Sequence, residues 1–299
     1  MHIPFVSVVI PVYNDNDGLV RCLGAVLGQD YPADSFEIIV VDNASHPAID
    51  LPESNPKLPP VNLVVEKKPG SYAARNRGIA SAKGEVFAFT DADCLPAKNW
   101  LKSAVNRLTG EPRNIILGGK ISVFSAVPEK PTCIELYDMN FGLRQVRYVQ
   151  VYGFAATANL IASKRVFKIV GKFNSELKSG GDHEWAMRAA AKGYQIVYAP
   201  EVEIFHPARR SLAAVLVKIR RTAGGHHDLR TFNRNRLALR HCKNKRIPLM
   251  EESFQQLIHI WRHYGPAAFF GALGVVATTA VVRAFERTRC QLGYYSLRQ

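Results

Sequence analysis

The chain has 299 residues, 47% hydrophobic and 21% charged, which provides for a sizeable core and excludes a disordered chain. At roughly 100–200 residues per domain, this length holds one large domain or two modest ones. Lys and Arg number 39 against 25 Asp and Glu, a formal net charge of +14. The excess is concentrated: residues 206–250 carry twelve Lys/Arg and a single acid, Asp228, so eleven of the fourteen net charges fall in 45 residues. Such a stripe suits a polyanion, a phosphate-bearing substrate or an anionic membrane surface. The five cysteines, Cys22, Cys94, Cys133, Cys242 and Cys290, are scattered without metal-ligand spacing. They argue against a disulfide framework or zinc site and for a reduced cytosolic setting. No basic stretch with a signal-peptide core precedes the first strand, in keeping with that setting.

The first part of the chain alternates between two hydrophobic periods, as βαβ units do. Residues 6–12 are a nearly continuous apolar run, the pattern of a strand buried on both faces. Leu19, Cys22, Leu23, Val26 and Leu27 then recur at helical spacing behind a capping cluster at residues 15–17. Residues 37–41 predict a second buried strand ending at Asp42-Asn43, and the Pro-rich stretch 47–60 a loop. A strand over 61–66, a helix over 71–83 and a strand over 86–89 follow, the last ending at Thr90-Asp91-Ala92-Asp93. Together these predict an open α/β layer with polar residues at strand C-terminal ends, where such sheets bind ligands.

The middle third predicts strands at 115–124 and 155–161, short helices at 164–170 and 181–193, and two short strands at 195–200 and 202–206. Beyond His206 the chain reads as basic and helical, interrupted by Gly224-Gly225. Residues 264–282 contain no charge over nineteen positions. At about 1.5 Å per residue that is roughly 28 Å, near the thickness of a bilayer core. Pro266, three glycines and two threonines dilute it, so a spanning helix, an interfacial segment and a helix packed on protein all remain open.

Asp91 and Asp93, one residue apart on a turn after a buried strand, can share a divalent cation bridging a diphosphate, since Mg²⁺ and Mn²⁺ prefer hard oxygen ligands. A lone D-x-D is weak, and Asp15-Asn16-Asp17 supplies a second copy that reads as a helix cap. The remaining stretches add weight in order: Val-Val-Ile-Pro-Val-Tyr-Asn closing strand one, Val-Val-Asp-Asn-Ala-Ser closing strand two, and Ala-Arg-Asn-Arg-Gly-Ile within the next helix. They are followed by Phe-Thr-Asp-Ala-Asp, Ala158-Asn159-Leu160, Gly180-Gly181-Asp182-His183-Glu184-Trp185, Ala199-Pro200-Glu201 and Phe205-His206-Pro207. Over residues 5–222 this series resembles the family 2 glycosyltransferases of GT-A fold.

The resemblance implies an open, mostly parallel twisted sheet flanked by helices, with a Rossmann-like nucleotide-binding half (1–95) and an acceptor half (96–222). A basic helical extension (223–299) with a membrane-associated segment follows. It implies transfer of a single sugar from a nucleoside diphosphate sugar, UDP favoured, to an acceptor hydroxyl with inversion, in polysaccharide or glycolipid synthesis. Mn²⁺ or Mg²⁺ is the implied cofactor, and Asp93 and His206 the implied metal ligands. Pro11, Tyr13, Asp42, Arg75 and Asp91 match donor-nucleotide positions, and Asp42 and Arg75 could instead form a mutual salt bridge. Asp182 matches the catalytic base, with Glu184 as rival and a helix N-cap as the plain alternative. Asn159, Glu184 and Trp185 are the acceptor candidates, although Trp185 could equally face the core. Arg209-Arg210 and Arg220-Arg221 could clamp the diphosphate, or belong to a solvated or lipid-facing basic helix.

Several positions depart from the family pattern. Gly181 stands where a Glu precedes the base, Ser163-Lys164 where Arg-Arg is usual, Asn174 in place of an acid, and His46-Pro47 after Asp42-Asn43-Ala44-Ser45. The Gln-x-x-Arg-Trp motif of processive synthases is absent. The expected partners are a nucleotide sugar, a carbohydrate or lipid-linked acceptor and a membrane at its cytoplasmic side, with no nucleic acid. The rivals are a non-catalytic relative, a basic membrane or nucleic-acid scaffold, and a sugar nucleotidyltransferase. The last would want a basic Gly-rich loop after strand one, where residues 13–17 are acidic. The basic stripe also lacks the aromatic interleaving of single-strand nucleic-acid binders.

Overall fold

The computed structural model describes residues 2–51, 55–110, 114–234 and 249–293. The later part of the basic stripe, 235–248, and part of the Pro-rich loop lie outside the described residues. The chain clusters into two compact units, one of 2–121 with 145–206 and one of 122–144 with 207–293. The boundary expected at residue 222 falls inside a continuous helix, because Gly224-Gly225 does not interrupt it.

The first unit is built on a sheet. Its opening elements are β1 (Val6–Val12), α1 (Asn16–Leu27), β2 (Phe36–Asp42), β3 (Val61–Val65), α2 (Ser71–Ser81), β4 (Val86–Thr90), β5 (Leu95–Pro96) and α3 (Trp100–Gly110). Then come β6 (Ile115–Phe124), α4 (Cys133–Phe141), which belongs to the second unit, α5 (Gln145–Tyr152), β7 (Asn159–Ser163), α6 (Lys164–Val170), α7 (Gly181–Ala191) and β8 (Gln195–Pro207). The strands lie in the order β3-β2-β1-β4-β7-β6-β8-β5. Pairing is parallel from β3 to β4, and antiparallel for β4/β7, β7/β6 and β8/β5, so the sheet is mixed.

The apolar runs of β1, β2 and β4 are buried throughout apart from half-buried Pro11, as strands covered on both faces require. Helix α2 lies close on the sheet: a Cβ on Gly78 would stand 2.4 Å from Val9 Cγ1, so only glycine permits that approach. On the same side Phe89, Phe167, Phe173 and Trp185 share one aromatic core. Two expectations change here. Residues 195–207 form one strand, Pro200 notwithstanding, and β7 starts at Asn159, because residues 155–158 make the turn that leads into it.

The second unit is helical, with α4 followed by α8 (Leu212–Arg234) and α9 (Leu249–Gln291). Helix α4 opens on a reciprocal capping box: the Thr132 hydroxyl accepts from Glu135 N, and the Glu135 carboxylate accepts from Thr132 N. Tyr137 of α4 packs with Val215, Ile219 and Val275, and Leu136 with Ile260 and Ala272. Asp138, 2% exposed, takes Arg209 through both carboxylate oxygens at 3.2 and 3.0 Å and has Lys218 Nζ at 3.6 Å. Helix α9 breaks at Gly265 (φ 81°), the residue before Pro266.

Candidate active site

The chemistry-bearing residues of the first unit gather at the C-terminal ends of β1, β2 and β4. The chain leaves β1 through Asn14, held at φ 52°, whose N–H donates to Ser45 Oγ (2.9 Å) while its side chain accepts from His46 N (2.8 Å). Asn43 ties the loop after β2 to the approach to α2, donating to Glu66 O and Lys68 O and accepting from Gly70 N, each at 2.8 Å. These asparagines tie together the loops that follow β1 and β2 and the approach to α2. Tyr13 is 64% exposed there, its ring available for stacking. Pro11 is half-buried in β1 opposite Val41.

Asp42 is buried, and its carboxylate accepts Ser45 N at 2.8 Å and Ile49 N at 3.5 Å. The alternative of an Asp42–Arg75 pair is not what forms. Arg75 is buried on α2 and pairs with Asp91, leaving its Nε without a hydrogen-bond partner among the described residues. Asp91 and Asp93 keep about a third of their side-chain surface, 35% and 36%.

Beside them, His206 at the end of β8 brings Nε2 to 3.5 Å from Asp93 Oδ2. Asp93, Cys94 and His206 have ligand atoms within 4.8 Å of one another, a grouping in which Cys94 is the member that sequence reasoning missed. Carboxylate oxygen and imidazole nitrogen converging from β4 and β8 suit a divalent cation of the Mn²⁺ kind. The Cys94 thiol is buried, and both its burial and the nearby carboxylates raise its pKa, so it is a neutral neighbour rather than a ready thiolate.

Asp182 sits in the first turn of α7. The N-cap position is Gly180, in left-handed conformation, so Asp182 does not occupy the capping position offered as its plain alternative. Its Oδ1 accepts from His183 N at 2.9 Å and from the Tyr72 hydroxyl at 3.3 Å. Desolvation raises the Asp182 pKa above the ordinary carboxylate value, outweighing those hydrogen bonds and the nearby Arg75 charge. Burial and the Asp182 charge likewise hold Tyr72 protonated.

The three acceptor candidates are buried. Asn159 is fully buried, accepting from Trp100 Nε1 (2.9 Å) and donating to Lys120 O (2.8 Å) and Val202 O (2.9 Å), so it pins β7 to its neighbours. Glu184 is buried and forks onto Arg188 at 2.8 and 2.9 Å. Trp185 is fully buried, stacked on Phe167 at 4.8 Å, with Nε1 donating to Gly171 O at 2.8 Å. All three have their polar atoms engaged inside the protein. The residues next to Asp182 that sequence reasoning passed over are rings: Phe154 is sandwiched between His183 (4.8 Å) and Tyr148 (5.0 Å). Arg220 and Arg221 lie on α8 of the second unit, the first half-buried and the second exposed.

Among curated proteins, the chain is 36% identical over 214 residues to glycosyltransferase AglE of Haloferax volcanii, covering 69% of this chain and 68% of that one. It is 22% identical over 219 residues to a dolichyl N-acetyl-alpha-D-glucosaminyl phosphate 3-beta-D-2,3-diacetamido-2,3-dideoxy-beta-D-glucuronosyltransferase of Methanococcus voltae, covering 70% and 68%. Among solved structures it is similar in fold to the mannosyltransferase PcManGT of Pyrobaculum calidifontis in complex with GDP-Man and Mn²⁺. That match has a TM-score of 0.60 and 22% identity, covering 98% of this chain and 81% of that one. Residues 7–170, more than half of the chain, match the pattern of "Glycosyl transferase family 2", and the chain belongs to that family.

Proposed function

We propose that the protein transfers a single sugar from a nucleoside diphosphate sugar to an acceptor hydroxyl with inversion at C1. The observation that carries this reading is the presence in one unit of an acidic turn beside an imidazole and of a separate, desolvated carboxylate. One is Asp93 with His206 at the ends of β4 and β8, Asp91 lying two residues before Asp93 in the same turn; the other is Asp182, whose proton affinity is raised. Two structural relatives hold Mn²⁺ with a nucleotide or nucleotide sugar, which supports a divalent cation on Asp93 and His206. Bound there, the cation would supply charge neutralisation for the diphosphate.

Tyr13, Asp42 and Arg75 with Asp91 would bind and orient the nucleotide, UDP being our preferred donor. The Asp182 carboxylate takes the proton of the acceptor hydroxyl. The oxygen forms its bond to C1 from the face opposite the diphosphate, which departs with the electron pair of the broken C1–O bond. Asp182 fits this role better than Glu184, whose two oxygens are occupied by Arg188. The Tyr148–Phe154–His183 stack beside Asp182 is the surface we assign to the acceptor. The dolichyl phosphate substrate in one relative's name and the long apolar helix α9 favour a lipid-linked acceptor used at the cytoplasmic side of a membrane.

The test is a thermal-shift series with UDP, GDP and their sugars, with and without Mn²⁺, on wild type and Asp182→Asn. A ligand at 100 times its Kd stabilises by about 2.7 kcal/mol, so binding is readily seen. Asp182→Asn should keep the metal-dependent shift and lose transfer. A variant that retains near-normal turnover removes Asp182 from the role of base. No shift with any nucleotide removes the donor site.

A further inference from the structure

Helix α9 after its break presents two unlike faces. Ala272, Val275, Thr279 and Glu286 repeat at intervals of three, four and seven residues and are all buried, a stripe turned toward protein. The opposite face, with Phe270 63%, Val281 69% and Phe285 58% exposed, is apolar and open. No charge interrupts it between 264 and 282, and exposed Arg262, Arg283 and Arg287 flank it.

The packed face decides how this helix can meet a bilayer. Its partners are α4 and α8: the clusters that hold Ile260, Ala272, Val275 and Val282 also hold Leu136, Tyr137, Val215 and Ile219. One turn from those side chains sit Asp138 and Lys218, in an ion cluster with Arg209. If α9 crossed the membrane, α4 and α8 would descend with it and bring this cluster, Arg220 and Arg221 to hydrocarbon depth, where ionised side chains are strongly disfavoured. An orientation along the surface avoids that, since the stripe stays on protein, the open face meets acyl chains and the arginines reach lipid phosphates. Trp261, 47% exposed near the break, is of the residue type that belongs at such an interface.

We infer that α9 from Pro266 onward is an in-plane membrane helix, docking the second unit onto an anionic bilayer through the face of Phe270, Val281 and Phe285 without spanning it. The inference rests on the membrane association proposed above and is independent of the sugar-transfer reading. The probe is vesicles of equal parts POPC and POPG, with brominated lipids as quenchers at graded depths. Three full-chain variants in a Trp261→Phe background carry Ala267→Trp, Gly274→Trp or Val281→Trp, exposed positions seven residues apart on one face. A Cβ at Gly274 meets nothing within 4 Å, and the remaining tryptophans, Trp100 and Trp185, are buried in the first unit and out of reach of lipid quenchers.

An in-plane helix gives the same depth at all three positions. A spanning helix places residue 274 about 10 Å deeper than 267 and 281 at 1.5 Å per residue, a result that overturns the inference but keeps the membrane association. No quenching at any position overturns both. Phe270→Glu should in addition weaken vesicle partition roughly tenfold, as expected for charge on a lipid-facing surface. Its nucleotide-induced thermal shift should match that of the wild type, and unchanged partition would count against the named face.

Discussion

The Tyr72 hydroxyl reaches across 110 residues of chain to donate to Asp182 Oδ1 at 3.3 Å. Its ring also fills the space beside the preceding residue: a Cβ on Gly181 would lie 2.7 Å from Tyr72 Cε2. The two facts are linked. Where the family pattern has a Glu before the base, this chain has a glycine, and the volume is taken by an aromatic ring that hydrogen-bonds Asp182, the proposed base. Gly181→Ala should therefore destabilise by about 1–3 kcal/mol, although Ala is ordinarily the better helix former. Tyr72→Ala in the same chain should relieve that penalty, a coupling that a double-mutant cycle in denaturant measures.

Tyr72→Phe isolates the hydrogen bond from the ring. The bond favours ionised Asp182 and works against the desolvation that raises its pKa. Without it the carboxyl holds its proton to still higher pH, so the acid limb of log kcat/KM should move to higher pH. The measurement is a pH–rate profile of both proteins. An unmoved limb would mean that a group other than Asp182 titrates there.

The buried position of Asn159 leads to a stability test. Its removal leaves Trp100 Nε1 and the carbonyls of Lys120 and Val202 without their partner inside the sheet. Asn159→Ala should cost about 2–4 kcal/mol, read from denaturant midpoints. Acceptor KM of the remaining folded enzyme should stay near the wild-type value. A raised KM at unchanged stability would restore Asn159 to the acceptor site.

These cases mark how far the sequence could be read. The first strands were legible because β1, β2 and β4 are buried on both faces and so appear as nearly unbroken apolar runs. Asp91 and Asp93 were legible from their position after such a run. Depth was not. Asn159, Glu184 and Trp185 match a pattern by order along the chain, but whether a side chain faces a cleft or a core depends on elements packed over it. The Arg75–Asp91 pair and the Tyr72–Asp182 contact depend on tertiary approach and leave no local signature. Helix α4 did leave one, in Thr132 and Glu135 at capping-box spacing, and it was passed over amid the mixed periodicity of the middle third.

In the second unit, Asp138 balances two cations in a space with little water. Lys218 is 13% exposed, and burial together with Arg209 depresses its pKa to about 8 despite the attraction of Asp138. The sign of the linkage follows from that depression. Between pH 8 and the ordinary lysine value the folded chain has released this proton while the unfolded chain still binds it, so stability rises with pH across that window. Lys218→Met should remove this part of the rise, seen by comparing its melting temperature with wild type from pH 7 to about 10. Asp138→Ala leaves both cations uncompensated and should be the more damaging change, by about 3–5 kcal/mol.

The proposed cation site offers a test of what a nitrogen ligand would contribute. There Asp93 would supply oxygen and His206 Nε2, the two lying 3.5 Å apart on the turn after β4 and at the end of β8. Mg²⁺ strongly prefers oxygen ligands and gives up water reluctantly, whereas Mn²⁺ accepts imidazole readily. A site of this composition should bind Mn²⁺ more tightly than Mg²⁺, as measured by the electron paramagnetic resonance signal of free Mn²⁺ under Mg²⁺ competition. His206→Asp keeps a ligand but changes nitrogen to oxygen, and should narrow that preference by roughly tenfold. Asp93→Ala should weaken both ions together, because it removes the ligand that each of them uses. Should His206→Asp leave the Mn²⁺:Mg²⁺ ratio unchanged while Asp93→Ala abolishes binding, the imidazole lies outside the coordination sphere and serves only to orient the Asp93 carboxylate.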